Sequence, residues 1–315
     1  MQSEIKLPNT KNKQNILVIL GPTASGKTSL GVEIAHKFNG EIISADSRQV
    51  YKYMDIGTGK DLIEYKIENT LIPYHLIDVV DPKTEFNLAK FQKLANIAIE
   101  KILQKNKLPV IVGGTGLYLQ ALVDDYDLSS VKTDKTLRNN LEKKTTEELL
   151  KILTELNPTK VKELHISDQK NKRRLIRYIE IHKSKQICYN KKKKKNYNFI
   201  LIGLTWPREL LKERIYKRLI QRLENENMVE EIAGLHKKHK VTWKRMENFG
   251  LEYKYITLYL RKKLSYDEMV EQLNIASRQF AKRQVSWFRR WEKQGTKINW
   301  IQNKDLNKFI KKLKI

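Results

Sequence analysis

The stretch 21-GPTASGKT-28 sets four residues between Gly21 and Gly26-Lys27-Thr28, and the run just before it, 16-ILVIL-20, is wholly apolar. A buried strand that turns through a glycine loop into a helix directs backbone N–H groups and the positive end of the helix dipole at one point. That point suits a phosphate. Gly21, Pro22, Thr23, Ala24, Ser25, Gly26, Lys27 and Thr28 are therefore read as a phosphate-binding P-loop, with Lys27 as a mobile cation and the Thr28 hydroxyl as a ligand for Mg²⁺. The loop alone does not fix whether the phosphate is hydrolysed, passed on or only gripped, and it would also admit ATP.

A nucleotide-hydrolysing site needs a further carboxylate at the end of another strand. Asp46, after 41-EIISA-45, and Asp78, after 74-YHLI-77, are the two candidates. Asp46 opens the polar cluster Ser47-Arg48-Gln49 at a strand's carboxyl end, where ligands bind in open α/β sheets. There it can act as metal ligand, general base or helix cap. The strand 109-PVIVGG-114 leads into Thr115-Gly116, so paired glycines admit close backbone approach and Thr115 adds a hydroxyl at the same edge. Arg214, Arg218 and Arg222 recur every four residues as one basic row on a predicted helix, and a solvated face accounts for two of the three. Cys188 and His75 are read as structural.

The elements that must position these groups follow from the apolar pattern. Strand, loop and helix over 16–38, a strand at 41–45, an amphipathic helix over 88–103 and the strand from Pro109 predict a parallel sheet covered by helices on both faces. From about Leu128 to Asn196 apolar strands vanish and short basic helices take over, which predicts an all-helical insertion ending in a mobile loop at Lys191 to Lys195. Phe199 to Leu204 resumes the buried-strand texture. The expected organisation is a P-loop α/β core over 14–127, a helical insertion over 128–196, and a core continuation with C-terminal helices over 197–315, including an amphipathic one through Leu306, Phe309, Ile310 and Leu313.

Lysine and arginine number 62 against 36 acids, for a net charge of +26. That excess points to a polyanionic partner, with the lysine inflation of an AT-rich genome as the competing explanation. A single cysteine excludes an internal disulfide and a cysteine-based metal site, and fits a reducing cytoplasm. No apolar run has the length of a membrane span, and the first residues carry no signal-peptide core, so a cytoplasmic protein is expected.

Taken in order, 21-GPTASGKT-28, 46-DSRQVYKYMDIGTGK-60, 75-HLIDVVDP-82 and 113-GGTGLYLQAL-122 closely resemble the tRNA dimethylallyltransferase family. The likeness continues through 173-RRLIRYIE-180, 213-ERIYKRL-219 and 277-SRQFAKRQVSWFR-289, nearly the full chain. Where many relatives have Gly-Tyr, this chain has Gly250-Leu251, with Tyr253 two places on.

The resemblance implies a P-loop that holds dimethylallyl diphosphate as a leaving group and leaves ATP intact, with N6 of the adenosine 3′-adjacent to a tRNA anticodon as acceptor. It implies Asp46 as the base that takes the N6 proton, Thr115 as a contact to the reacting centre, and Arg218 with Lys27, the loop amides and Mg²⁺ as stabilisers of the diphosphate. It further implies tRNA contacts from Asp46, Ser47, Arg48, Gln49 and Thr115, from Arg173, Arg174, Leu175, Ile176 and Arg177, and from Lys282, Arg283 and Gln284. The insertion would grip the anticodon stem, and a monomer is expected. Competing readings are a prenyltransferase for free adenine nucleotides, an ATP-using kinase, and an RNA-binding module with an idle loop.

Overall fold

The structure, a computed structural model, describes residues 14–126, 134–184, 197–302 and 309. They form two compact units, one of the described residues up to Tyr126 and from Tyr197 onward, the other of those between. Strands β1 (Gln14–Leu20) and β2 (Gly40–Ser44) are followed by a small antiparallel hairpin of β3 (Lys66–Ile67) and β4 (Thr70–Leu71). Then come β5 (Tyr74–His75), β6 (Leu108–Gly113), β7 (Tyr197–Thr205) and β8 (Ile298–Gln302). Apart from the hairpin these make one sheet, all parallel, in the order β5-β2-β6-β1-β7-β8.

Helices α1 (Lys27–Lys37), α2 (Leu88–Gln104) and α3 (Gly116–Val123) belong to the first unit. The second unit holds α4 (Lys135–Glu142), α5 (Thr146–Leu156), α6 (Pro158–Glu163), α7 (Ile166–Gln169) and α8 (Lys172–Lys183). The chain returns to the first unit with α9 (Arg208–Glu224), α10 (Met228–Lys237), α11 (Trp243–Phe249), α12 (Leu251–Leu260) and α13 (Tyr266–Lys293).

The unbroken apolar runs are explained by what covers them. On β1, Ile16, Val18 and Leu20 enter one core with Phe91 and Ile99 of α2, Leu119 of α3 and Phe288 and Trp291 of α13. Leu17 and Ile19 point the other way, into a core with Leu30 and Ile34 of α1. A strand buried on both faces has no polar face to show, so alternation disappears and only length and flanking glycines mark it. A third core joins α9 to α13 with Val50, Tyr51 and Met54.

Of the two edge strands, β8 escaped the sequence reading, and β5 is shorter than expected. The expected strand 74-YHLI-77 is only two residues long, because Leu76 and Asp78 turn the chain through φ values of 64° and 56°. Lys191 to Lys195, Cys188 and most of the expected C-terminal helix lie outside the described residues; Phe309 packs against the α1 side of the sheet. No described helix is long and apolar enough to cross a membrane.

In the second unit, Leu141, Leu149, Leu153, Leu175, Ile176 and Ile179 form the core. Glu180 is buried beside them, takes Arg138 at 2.5 and 2.8 Å and Arg177 at 3.1 Å, and these partners hold its carboxyl below the usual range against the opposing cost of burial.

Candidate active site

Register brings three loops to one edge. Leu20 of β1 is level with Gly113 of β6 and Gly203 of β7, and Ser44 of β2 is level with Val112. The residues that follow, the P-loop, Asp46 and Thr115, therefore leave the sheet side by side, next to the point where connections diverge from β1 to either side. They line one cavity of about 1160 Å³ together with Arg218 and Tyr253. That exceeds the usual range for one small ligand and leaves room for two reactants.

The loop is shaped by its carbonyls. Arg214 Nε donates to the Ala24 carbonyl at 2.9 Å and Trp206 Nε1 to that of Ser25 at 3.0 Å, while the Arg214 guanidinium lies over the Trp206 ring. Gly26 sits at φ 84°, a conformation that favours glycine. Among the described residues the amides of Ser25, Gly26, Lys27 and Thr28 meet no acceptor and the buried Ser25 hydroxyl has no partner. Buried donors seldom remain unpaired, so this set is ready for an anion.

Gln284 ties the loops together. Its Oε1 accepts from the Thr23 amide at 2.8 Å and its Nε2 donates to the Gly114 carbonyl at 2.9 Å. A side chain at position 113 would run into the Ala45 carbonyl, so only glycine lets the end of β6 approach that closely. Thr115 Oγ1 accepts from the Ser47 amide at 3.3 Å, which links the third loop to the Asp46 turn.

Cations crowd the cavity. Lys27 is half-buried and, among the described residues, donates only to the Pro22 carbonyl at 3.3 Å. Burial first, then the nearby Arg218 charge, pushes its ammonium down to about 8, with Asp46 and Glu64 pulling the other way. Arg218 donates to Thr23 Oγ1, and burial followed by the Arg222 charge lowers it to about 10. Two cations pressed together, with no carboxylate hydrogen-bonded to either among the described residues, favour a polyanionic ligand.

The two candidate carboxylates separate here. Asp78 is paired with Lys60, whose ammonium also holds Asp55 at 2.6 Å and the Tyr51 carbonyl at 2.8 Å. Asp46 faces the cavity, its Oδ1 accepting from the amides of Arg48 at 2.7 Å and Gln49 at 3.4 Å. It is thus capped and anchored, with Oδ2 free of any partner among the described residues. Gln49 is internal: Ser44 Oγ donates to its Oε1 and its Nε2 donates to the Gly59 carbonyl, both at 2.8 Å.

The expectation that two of the three arginines form a solvated face is overturned. Arg214 supports the P-loop, Arg218 reaches Thr23, and Arg222 is 4% exposed and grips Asp61 at 2.8 and 3.1 Å. Sequence reasoning also missed Glu64 and Glu252 as cavity carboxylates, each raised chiefly by burial. No sequence signal marks them.

A family model described as IPP transferase matches residues 49–291, and one described as isopentenyl transferase matches 14–74. The chain belongs to the IPP transferase family. It is similar to the tRNA dimethylallyltransferase 1 of Syntrophus aciditrophicus, 43% identical over 96% of this chain and 98% of that protein. Among solved structures it resembles the full-length tRNA isopentenylpyrophosphate transferase of Bacillus halodurans, 33% identical, with a TM-score of 0.66 and 95% of each chain covered. It also resembles a eukaryotic dimethylallyltransferase acting on tRNA, 28% identical, with a TM-score of 0.75 over 94% of this chain and 75% of that one.

Not every residue expected to meet an RNA is free to do so. Gln284 is 6% exposed with both ends of its amide engaged, so it positions two loops instead of facing a partner. Leu175 and Ile176 are buried in the second unit, where each apolar side chain stabilises the fold by roughly 1.5–3 kcal/mol. Arg174 pairs with Asp168 and Arg177 with Glu180, while Arg173 is exposed. Lys282 and Arg283 are exposed on α13, and Arg283 reaches the cavity wall.

Proposed function

We propose that this chain transfers a dimethylallyl group from dimethylallyl diphosphate to N6 of the adenosine 3′-adjacent to the anticodon in tRNA, releasing diphosphate. The observation that carries the reading is the meeting of an anion cradle and an anchored carboxylate in one cavity large enough for both reactants. Family membership and the names of the relatives point the same way.

The chemistry assigns the parts. The N6 lone pair is delocalised into the adenine ring, so its proton must leave as the new N–C bond forms. Asp46 takes that proton, its orientation fixed by the Arg48 and Gln49 amides. On the other side the allylic C–O bond breaks and charge collects on the diphosphate. Lys27, Arg218 and the amides of Ser25 to Thr28 receive it, in a setting where preformed donors act strongly. Thr115, fixed by the Ser47 amide, contacts the reacting centre.

The donor set also fits Mg²⁺. The described residues hold no group of three His, Cys, Asp or Glu placed to bind a metal by themselves, and Mg²⁺ at phosphates is commonly held by one or two protein oxygens with the ligand supplying others. Thr28 would hold it, and when bound it would draw charge off the diphosphate oxygens. The scheme needs groups from one chain only, so a monomer suffices, and a cytoplasmic setting matches its RNA. The adenosine must leave its stack to reach the cavity, as bases do in other base-modifying enzymes. Arg173 and the second unit's exposed lysines would contribute salt-sensitive phosphate contacts.

The test is incubation with labelled dimethylallyl diphosphate, Mg²⁺ and either unmodified tRNA or AMP, followed by digestion and nucleoside mass analysis. A prenyl mass on adenosine from tRNA alone is expected. Label in AMP alone would make the chain a nucleotide prenyltransferase.

A further inference from the structure

The segment 236-HKKHKVTWKR-245 carries five lysines or arginines and two histidines in ten residues, with no carboxylate. Lys237, Lys238, Lys240 and Lys244 are exposed. The negative end of α10 accounts for His236 and Lys237 in its last turn, but not for the cations that continue beyond it.

Flat aromatic pairs sit among these charges. Tyr53 stacks on His239 with ring centres 3.8 Å apart and planes 14° from parallel, and His236 stacks on Trp243 at 3.7 Å and 25°. Tyr53 is 47% exposed and holds a left-handed backbone at φ 64°. A bulky residue in that conformation is strained, and no core packing at such exposure repays it. Meanwhile the one aliphatic residue of the segment, Val241, and Leu235 just before it are buried, so the surface offers rings and ammonium groups but no apolar wedge for a membrane.

The surface adjoins the reaction cavity. Tyr53 lies two residues before Asp55, a wall residue, and α11 runs from Trp243 to Phe249, another. Arg245, midway, lies over the Phe249 ring at 4.7 Å. A strand of RNA whose base occupies the cavity would meet this rim on leaving it.

We infer that Tyr53 and the segment 236–245 form a second RNA-binding surface, which takes unpaired nucleotides flanking the reacting adenosine by stacking on the rings and pairing phosphates with the lysines. The inference rests on the tRNA reading above. Ring faces suit bases of any sequence, and a run of five cations that carries no carboxylate of its own suits phosphates.

The test compares the full chain with a variant combining Lys237→Gln, Lys238→Gln, Lys240→Gln and Lys244→Gln, and separately with Tyr53→Ala. Anisotropy of a labelled anticodon stem-loop RNA is titrated across salt concentrations. The lysine variant should bind about ten-fold more weakly at 0.1 M salt, with the log–log salt slope flatter by roughly 2 to 3. Tyr53→Ala should lose about five-fold at an unchanged slope. Both should raise KM for tRNA and leave kcat and prenyl diphosphate binding unaltered. Wild-type affinity and slope in the lysine variant, with tRNA still prenylated by the parent protein, would overturn this surface and leave the functional reading standing. Failure of the parent protein to bind or prenylate tRNA would sink both. Equal displacement by polyglutamate would assign the surface to an acidic protein instead.

Discussion

Two glycine–lysine pairs, Gly26-Lys27 and Gly59-Lys60, look alike in sequence and have opposite fates. Lys60 is 0% exposed, and its ammonium is matched by Asp55, Asp78 and the Tyr51 carbonyl. Lys27 is half-buried, donates to one carbonyl at 3.3 Å, and is crowded by Arg218. The carboxylates divide in the same way: Asp78 is engaged by Lys60, and Asp46 turns toward the cavity. A charge whose partners are supplied by the fold is structural. One whose partners are missing waits for a ligand.

The largest effect that sharpens this contrast is at Asp46. Asp46→Asn keeps the shape and the capping oxygen but cannot accept a proton, so kcat should fall roughly 10³-fold. Melting temperature should hold, and tRNA affinity should stay within a few-fold. Near-normal turnover would remove the carboxylate from its role as base.

The paired lysine variants come next. Lys27→Met should lower kcat/KM for transfer about 10²-fold while leaving the melting temperature equal or higher, because one of two crowded cations is gone. Lys60→Met should do the reverse. It should cost about 2 kcal/mol of stability, less than a fully enclosed pair because Asp55 and Asp78 keep some solvent contact. Its turnover per folded molecule should fall less than ten-fold. Denaturant titration and steady-state rates on both variants check this, and a lower melting point for Lys27→Met than for Lys60→Met would break the comparison.

The contrast also explains what the sequence could show. The P-loop, β1, β2, β6 and β7 were legible because strands covered on both faces are continuous apolar runs ending in glycine or polar turns. Asp46 and Asp78 each follow such a run, and only the polar residues after Asp46 and the family resemblance set it apart; that Asp78 is engaged depends on a lysine that comes back from position 60. Arg222 illustrates the same limit: its spacing marks a row with Arg218, but burial against Asp61 depends on a loop brought from 161 residues away. Gln284 reads as one more polar residue on a basic helix. Only the fold shows it spanning Thr23 and Gly114.

The smallest effect, and the one that isolates Lys27, is a pH dependence. Its ammonium titrates at about 8 in the free protein, below the roughly 10.4 of an unfolded chain. Because the folded value is the lower one, the cost of holding the charged form is fully present below pH 8 and is lifted as pH rises through 8 toward 10. The free protein should therefore gain stability over that window relative to Lys27→Met, whose profile lacks this contribution. Ligand reverses the sign. A bound diphosphate favours the ammonium, so binding above pH 8 must take up a proton, and affinity for dimethylallyl diphosphate should fall by up to about ten-fold per pH unit between 8 and 10. Calorimetric titrations in buffers of different ionisation heat would measure that uptake directly. Proton uptake in the wild type and none in Lys27→Met would place the missing counter-charge of this cavity on the diphosphate; equal uptake in both would assign it to another group.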